Sequence, residues 1–209
     1  MIVNTKTYEQ LPFCEKEILR YAGCKSADDE ILSLLHSCIE EVKSSLSYKV
    51  CWCELDVNVC GSICDFGIFK ANSQDLAKFL EGKTYVTLFG ATIGIDIDRL
   101  ITKYGRISPA RALMIQAIGA EQIETLCDTF CEEFGLNVRF SPGYGDLLLS
   151  VQKDIFNVLS CQKNIGLYLN DSMVMSPSKS VTAFAKSGMK TSNKCTLCTK
   201  NDCIFRGGI

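Results

Sequence analysis

The stretch from Ser108 to Gly135 most strongly limits the folds open to this chain, because it predicts one long helix. Ser108-Pro109 is typical of an N-cap followed by a first-turn proline, and Gly135 is a suitable residue at the helix C-terminus. Any predicted fold must accommodate this helix. Apolar residues recur at helical spacing between the two ends: Leu113, Ile115, Ile118, Ile123, Leu126 and Phe130.

Shorter strands and helices surround the long helix in the sequence. Residues 50–58 alternate with a period near two, so Cys51, Cys53, Leu55 and Val57 are predicted to share one face. Residues 63–69 are predicted to form a hairpin with them. Further strands are predicted at 84–90, around Val138, and at 165–169 and 180–185. Helices are predicted from a Ser26/Asp29 capping box to residue 46, and at 72–82, 95–105 and 150–159.

The order of these elements favours an α+β fold, since strands and helices do not alternate as regular βαβ units. We expect a twisted, mainly antiparallel or mixed sheet with flanking helices over residues 1–186. Residues 187–209 are polar and glycine-rich and are predicted to form a separate C-terminal tail.

Composition excludes several classes of function. The chain has 209 residues, of which 47% are apolar and 22% charged, and its net charge of −2 offers no basic field for nucleic acid or an anionic membrane. Its apolar runs are too short to cross a bilayer, and no export signal precedes the first strand. A cytoplasmic location is expected.

Cysteine and histidine usage also limits the chemistry. Thirteen cysteines, an odd number with scattered spacing, argue against a disulfide framework and for mostly reduced core residues. The one histidine, His36, falls within a helical pattern, which disfavours His-based triads and multi-histidine metal sites. GATIG at 90–94 lacks the glycine spacing of a phosphate loop, so a close-packed strand-to-helix turn is the better interpretation.

The stretch RFSPGYGD at 139–146 allows two interpretations. Proline and glycine are typical of an ordinary surface turn, in which Arg139 is merely solvated. The alternative is a ligand cradle, in which Gly143 permits close backbone approach while Arg139 and Tyr144 reach the bound group.

The tail carries Cys195, Cys198 and Cys203 in a C-x2-C-x4-C pattern with basic neighbours. Three thiolates can hold zinc or an iron–sulfur cluster, but both usually take four ligands. A redox-active tail without metal is the alternative. The fourth ligand would come from another chain, from an exchangeable group, or from Cys51, Cys53, Cys60 or Cys64.

Two motifs in order resemble the activation domain of vitamin B12-dependent methionine synthase. The family's Arg-x-x-x-Gly-Tyr loop corresponds here to Arg139, Gly143 and Tyr144, with Pro142 also matching. Its later Met-x-Pro-x-x-Ser-Val pattern is matched by residues 175–181, and the resemblance is clear over about residues 110–185. It implies a C-shaped, mainly antiparallel α+β domain.

The resemblance also implies a ligand, S-adenosylmethionine. Arg139 would pair with its carboxylate, the Pro142-Gly143 turn would allow backbone approach, and Tyr144 would supply a ring and a hydroxyl. Glu133 and Glu124 correspond to acids that would accompany the cationic groups, although Glu124 is also explained as a solvated helix residue.

The resemblance further implies a role in restoring methylcobalamin from cob(II)alamin by reductive methylation. The chain lacks the family's cobalamin-binding Asp-x-His-x-x-Gly pattern, so the cobalamin would be carried by a partner methyltransferase or corrinoid protein. The electron donor would be a protein such as flavodoxin or ferredoxin. The family's early acidic segment and late paired tyrosines are not recognisable. Alternatives are an iron–sulfur or thiol electron-transfer protein, and a noncatalytic assembly module.

Overall fold

The computed structural model describes residues 1–24 and 26–188. The predicted tail, with Cys195, Cys198 and Cys203, lies outside this part except for its first two residues. The strands are β1 (Asn4–Tyr8), β2 (Tyr48–Asp56), β3 (Asn58–Cys60), β4 (Ile63–Asp65), β5 (Lys70–Asn72), β6 (Tyr85–Thr92), β7 (Val138–Phe140), β8 (Tyr168–Leu169), β9 (Met175–Ser176) and β10 (Ser180–Lys186). The helices are α1 (Glu15–Tyr21), α2 (Asp29–Lys43), α3 (Gln74–Leu80), α4 (Asp96–Ile107), α5 (Pro109–Glu133), α6 (Val151–Leu159) and α7 (Cys161–Ile165).

A five-stranded sheet in the order β1-β2-β6-β10-β7 organises the protein. Its neighbouring strands all pair antiparallel. Two small sheets, β3-β4-β5 and β8-β9, are attached to it. The predicted α+β class with an antiparallel sheet and flanking helices is confirmed.

Helices cover both faces of the main sheet, so the sheet separates two hydrophobic cores. On β2, Val50 contributes to the core beneath α1, α2 and α5, whereas Cys51 and Cys53 contribute to the core beneath α3, α6 and α7. This alternation follows from the period of two along a strand. The predicted common face of Cys51, Cys53, Leu55 and Val57 is therefore confirmed.

Helix α5 is the central element of the first core and confirms the long helix predicted from Ser108 to Gly135. It packs against α1, α2 and α4 and contacts β6 and β10. Pro109 occupies its first turn, while the Ser108 side chain makes no capping hydrogen bond. Gly135, at φ +65°, follows the helix in the left-handed conformation that glycine tolerates best.

The predicted hairpin between residues 50–58 and 63–69 is wrong. β2 pairs with β1 and β6, while residues 63–65 pair with β3 and β5 in a separate small sheet. Strand β4 ends at Asp65 because the chain turns there. Gly67 has φ +78° and donates its N–H to Asp65 Oδ1, which closes the turn. The Ser26/Asp29 capping box is also wrong, since Asp28 caps α2 by accepting from Ile31 N. The strand predicted at 165–169 is found only in part. Ile165 is the last residue of α7, and the strand β8 contains only Tyr168 and Leu169.

The described cysteines are all free, and seven of the ten are buried: Cys38, Cys51, Cys53, Cys64, Cys127, Cys131 and Cys161. The expected reduced core cysteines are therefore present. His36 is exposed on α2, with Nε2 3.1 Å from Glu15 Oε1. No helix within residues 1–24 and 26–188 is long and apolar enough to cross a membrane.

Candidate functional site

A cavity of about 580 Å³ lies where β7 and the following loop meet α5, α6, β9 and β10. We call it the Arg139 cavity. It contains residues from both of the motifs singled out in the sequence. Its lining consists of Glu124, Arg139, Phe140, Ser141, Pro142, Tyr144, Gln152, Met175, Ser180, Val181 and Thr182.

Arg139 is held in the wall of this cavity by two carboxylates of α5. Its Nη2 donates to Glu124 Oε2 at 3.0 Å and to Asp128 Oδ1 at 2.7 Å. The Arg139 side chain is only 10% exposed, whereas those of Glu124 and Asp128 are 43% and 65% exposed. Among the described contacts, both hydrogen bonds of the guanidinium are made by Nη2.

The environment keeps Arg139 charged. Burial alone would lower the pKa of its guanidinium, but the neighbouring Cys127, Glu124 and Asp128 raise this pKa above the ordinary value. Burial in turn raises the pKa of the Cys127 thiol, so we attribute the effect on Arg139 to the two carboxylates. The formal charges of Arg139, Glu124 and Asp128 sum to −1.

Asp128 was missed in the sequence, although a signal for it was available. Glu124 and Asp128 are four residues apart, which places both carboxylates on one face of α5. Two acids at this helical spacing can both pair with one arginine on the next strand, provided that the helix and the strand are adjacent.

The loop after β7 forms the mouth of the cavity. Its Gly143 has φ +88° and donates its N–H to Leu147 O at 2.9 Å. Pro142 lines the cavity, and Tyr144 also lines it while remaining 70% exposed. The loop therefore lines a cavity as well as forming a turn.

The far side of this loop is bound to the start of α3. Asp146 accepts hydrogen bonds from the Ser73 hydroxyl and from the N–H groups of Gln74 and Asp75. The Asp75 carboxylate accepts the N–H of Asp146 in return. Gly145 has φ +55°, and a Cβ there would clash with the Asp75 carboxylate, so this close approach requires glycine.

The second motif also lines the cavity, through Met175, Ser180 and Val181. Ser180 Oγ lies 2.8 Å from both Pro177 O and Thr92 Oγ1. The bend before β10 is held by Asp98 of α4, whose Oδ2 accepts the N–H of Ser178 at 2.7 Å. This contact gives Asp98 a specific role in supporting the wall, beyond the helix-dipole effect that applies to any first-turn carboxylate.

Gln152 and Thr182 were also missed, and no local sequence signal distinguishes them. Gln152 lies in the first turn of α6 and Thr182 on β10, and both are buried in the cavity wall. Within residues 1–24 and 26–188, Gln152 Oε1 and Thr182 Oγ1 have no hydrogen-bond partner. Buried polar atoms are normally paired in folded proteins, so these two oxygens are exceptions in the packing behind the cavity wall.

Glu133, unlike Glu124, is not brought together with Arg139. It lies at the end of α5 and bonds to Lys6 and to Tyr8 of β1, the strand at the edge of the sheet opposite β7. These bonds lower the pKa of the Glu133 carboxyl, with Lys6 as the largest cause. Glu133 is not part of the Arg139 cavity lining.

No group of three or more histidine, cysteine, aspartate or glutamate side chains within the described ranges has the geometry to hold a metal ion. The tail cysteines Cys195, Cys198 and Cys203 lie outside those ranges. Of the four candidates for a fourth ligand, Cys51, Cys53 and Cys64 are buried, and only Cys60 is exposed.

No protein-family model and no curated protein sequence matches the chain. The structure is similar to the solved structure described as the MetH reactivation domain bound to AdoHcy, with a TM-score of 0.67 and 15% sequence identity. The match covers 90% of this chain and 78% of that chain. At this identity the similarity concerns the fold, and the fold implied by the sequence resemblance is confirmed.

Proposed function

We propose that this protein binds S-adenosylmethionine in the Arg139 cavity and serves as a reactivation subunit for a cobalamin-dependent methyltransferase, with methionine synthase the first candidate. The observation that carries the proposal is the convergence of both sequence motifs on one cavity that is also lined by a largely buried, charged arginine. The structural similarity to a reactivation domain described as bound to AdoHcy supports the same ligand class.

The charges of the cavity suit this ligand. S-adenosylmethionine carries a sulfonium, an ammonium and a carboxylate, and therefore has a net charge of +1. In this proposal Arg139 binds the carboxylate, and Glu124, which lines the cavity, accompanies the cationic groups. Asp128 adds its charge by pairing with Arg139 from outside the cavity lining. The formal charge of −1 on the three side chains complements the charge of the whole ligand.

The residues of the chain bind and position the ligand. Pro142 and Gly143 shape the loop, and Tyr144 supplies a ring and hydroxyl at the cavity mouth, where its exposure leaves it accessible to a partner. When bound, S-adenosylmethionine supplies a methyl group for transfer to the reduced cobalamin of the partner. The contribution of this chain is therefore orientation of the two reactants, which lowers the entropic part of the barrier.

The partner in this proposal is a methyltransferase or corrinoid protein that carries the cobalamin. The reducing electron comes from a donor such as flavodoxin or ferredoxin. Glu133 is left out of the proposed ligand site because its hydrogen bonds are made to Lys6 and Tyr8. Glu124 remains in the proposed ligand site, together with Asp128.

The test is anaerobic titration calorimetry of S-adenosylmethionine into the isolated protein, followed by the same titration into Arg139→Gln. The matched control is Arg111→Gln, because Arg111 is also a largely buried arginine paired with a carboxylate, Glu41, away from the cavity. Saturable binding that only the Arg139 substitution weakens supports the proposal. Absence of binding, with and without a cobalamin-loaded methyltransferase, rejects it.

The cysteine pattern of the tail supports a second candidate, an electron-transfer protein that reduces a corrinoid partner through an iron–sulfur cluster or thiols. Cys195, Cys198 and Cys203 carry this alternative. It predicts reduction of partner cob(II)alamin by the reduced protein in the absence of S-adenosylmethionine. A reduction rate that is unchanged by serine at all three positions would reject it.

A further inference from the structure

Lys179 is buried at an unexpected place for a lysine. It lies in the bend between β9 and β10, is 9% exposed, and is the only buried lysine within residues 1–24 and 26–188. Burial lowers the pKa of its amine, although the charge of Asp98 opposes this effect. Because a buried ammonium is unfavourable, the charge alone does not explain a lysine at this position.

The stem of Lys179 lies against a glycine of α5. A Cβ on Gly119 would lie 3.1 Å from both Cγ and Cε of Lys179, and 3.0 Å from Ile97 Cγ2. These separations are shorter than ordinary contact between carbon atoms, so a larger residue would displace one of its neighbours. Glycine is unfavourable in the interior of a helix. The absence of a side chain at Gly119 nevertheless forms a slot that the Lys179 stem fills.

The backbone on either side of the Lys179 stem is also held from outside the Arg139 cavity. The Asp98 carboxylate accepts the Ser178 N–H at 2.7 Å and also the Ser178 hydroxyl. The Lys179 carbonyl accepts the N–H of Ile93 at 3.2 Å. The next residue, Ser180, lines the Arg139 cavity. The bend is thus fixed by α4, α5 and the residue after β6, immediately before the chain enters the cavity wall.

We propose that Lys179 is a positioning residue for ligand binding, whose stem, seated against Gly119, sets the position of the cavity wall formed by Ser180 and Val181. Lys179 is not part of the cavity lining, so it acts through these neighbours without touching the ligand. The inference rests on the proposed function for the identity of the ligand. The packing of the stem against α5 does not depend on that function.

The experiment measures the affinity for S-adenosylmethionine by anaerobic calorimetry in wild-type protein, Gly119→Ala, Lys179→Ala and the double variant. Each single substitution should weaken binding about threefold to tenfold, because the cavity wall loses its fixed position. In the double variant the added Cβ no longer meets the Lys179 stem. Its affinity should therefore equal that of Lys179→Ala instead of falling further. Additive losses would show that the two residues act independently and would overturn the inference.

Gly105→Ala is the matched control, since Gly105 is a glycine inside α4 whose Cβ would have no neighbour within 4 Å. It should leave the affinity unchanged. Lys179→Met, which keeps an unbranched stem without the charge, should recover most of the affinity that Lys179→Ala loses. It should also melt at or above the wild-type temperature, because no ammonium is buried. An affinity as low as that of Lys179→Ala would assign the effect to the charge and overturn the role of the stem.

Hydrogen exchange of the Ile93 N–H reports on the bend without ligand, because this group donates to the Lys179 carbonyl. Gly119→Ala and Lys179→Ala should accelerate the exchange, whereas Gly105→Ala should not. Faster exchange without any loss of affinity would make the packing purely structural and overturn the inference, while the proposed function stands. Wild-type protein that binds no S-adenosylmethionine would reject the proposed function, and the positioning role with it.

Discussion

Asp146 Oδ2 accepts a hydrogen bond of 2.8 Å from the N–H of Gln74, which joins the loop at the cavity mouth to the first turn of α3. The same carboxylate also bonds to Ser73 and Asp75. These bonds favour the ionised form and lower the pKa of Asp146, with the Ser73 hydroxyl as the largest cause. The position of Pro142 and Tyr144 therefore depends on a contact made outside the cavity.

Asp146→Ala should weaken S-adenosylmethionine binding several-fold, because the loop would no longer be held in the binding geometry. Asp28→Ala is the matched control, since Asp28 caps α2 by accepting the N–H of Ile31 far along the chain from the loop. Both substitutions should lower the melting temperature slightly, because each removes an acceptor for N–H groups in the first turn of a helix. Equal ligand affinity in the two variants, measured by calorimetry, would contradict the positioning role of Asp146.

Arg139→Ala should weaken S-adenosylmethionine binding by about 2 kcal/mol or more, because a buried charged donor to the carboxylate is lost. The substitution also leaves Glu124 and Asp128 without their shared cation. Calorimetry measures the affinity, and thermal melting of the variant shows whether it remains folded. A folded variant with unchanged affinity would remove Arg139 from the site.

The net charge of the Arg139, Glu124 and Asp128 cluster predicts a preference between related ligands. S-adenosylmethionine, with its sulfonium, should bind more tightly than the uncharged thioether S-adenosylhomocysteine. Asp128→Asn should reduce this preference by about threefold, as expected for one partly exposed charge interaction. Asp29→Asn on α2 serves as the control and should leave the ratio unchanged. A preference that is the same in wild-type protein and Asp128→Asn would exclude Asp128 from contact with the cationic end.

The buried carboxyl of Glu121 is expected to make the free energy of unfolding depend on pH. Burial raises the pKa of this carboxyl above its ordinary value, despite hydrogen bonds from Thr125, Gln122 and the Cys14 N–H. A raised folded-state pKa means that the protonated form is favoured in the folded protein. The stability contribution is therefore present below the unfolded pKa and is lost as the pH rises through the folded pKa.

The measurement is chemical denaturation from pH 4 to 7 in wild-type protein and Glu121→Gln. The variant should lack the part of the stability loss that Glu121 causes as the pH rises through this range. Glu9→Gln, an exposed glutamate, provides the control. Identical pH profiles for wild-type protein and Glu121→Gln would contradict the prediction.

The tail pattern predicts metal binding that serine substitutions remove. Anaerobically reconstituted protein should contain iron or zinc, and Cys198→Ser should reduce the content strongly because a thiolate ligand is lost. Cys60→Ser tests the exposed candidate for the fourth ligand. Protein that retains neither metal after reconstitution would leave a redox-active thiol tail as the remaining interpretation.

Much of the fold was predictable because helix and strand signals are local. The pattern from Ser108 to Gly135 predicted α5, and the pattern at 72–82 predicted α3. The alternation around Cys51 and Cys53 identified the buried face of β2. The incorrect hairpin at 63–69 arose because strand partners depend on contacts between distant segments. The apolar residues at 63–69 predicted a strand, but β2 pairs with β1 and β6 instead of with this segment.

The sequence by itself determined the position of α5, the Arg139-to-Tyr144 loop and the second motif, because each is encoded by neighbouring residues. The tertiary structure alone decided which side chains meet Arg139. It placed Asp128 beside Arg139, directed Glu133 toward Lys6 and Tyr8, and brought Gln152 and Thr182 into the wall of one cavity. The physical reason is that burial and long-range hydrogen bonding arise from the packing of elements far apart in the chain, which no local periodicity encodes.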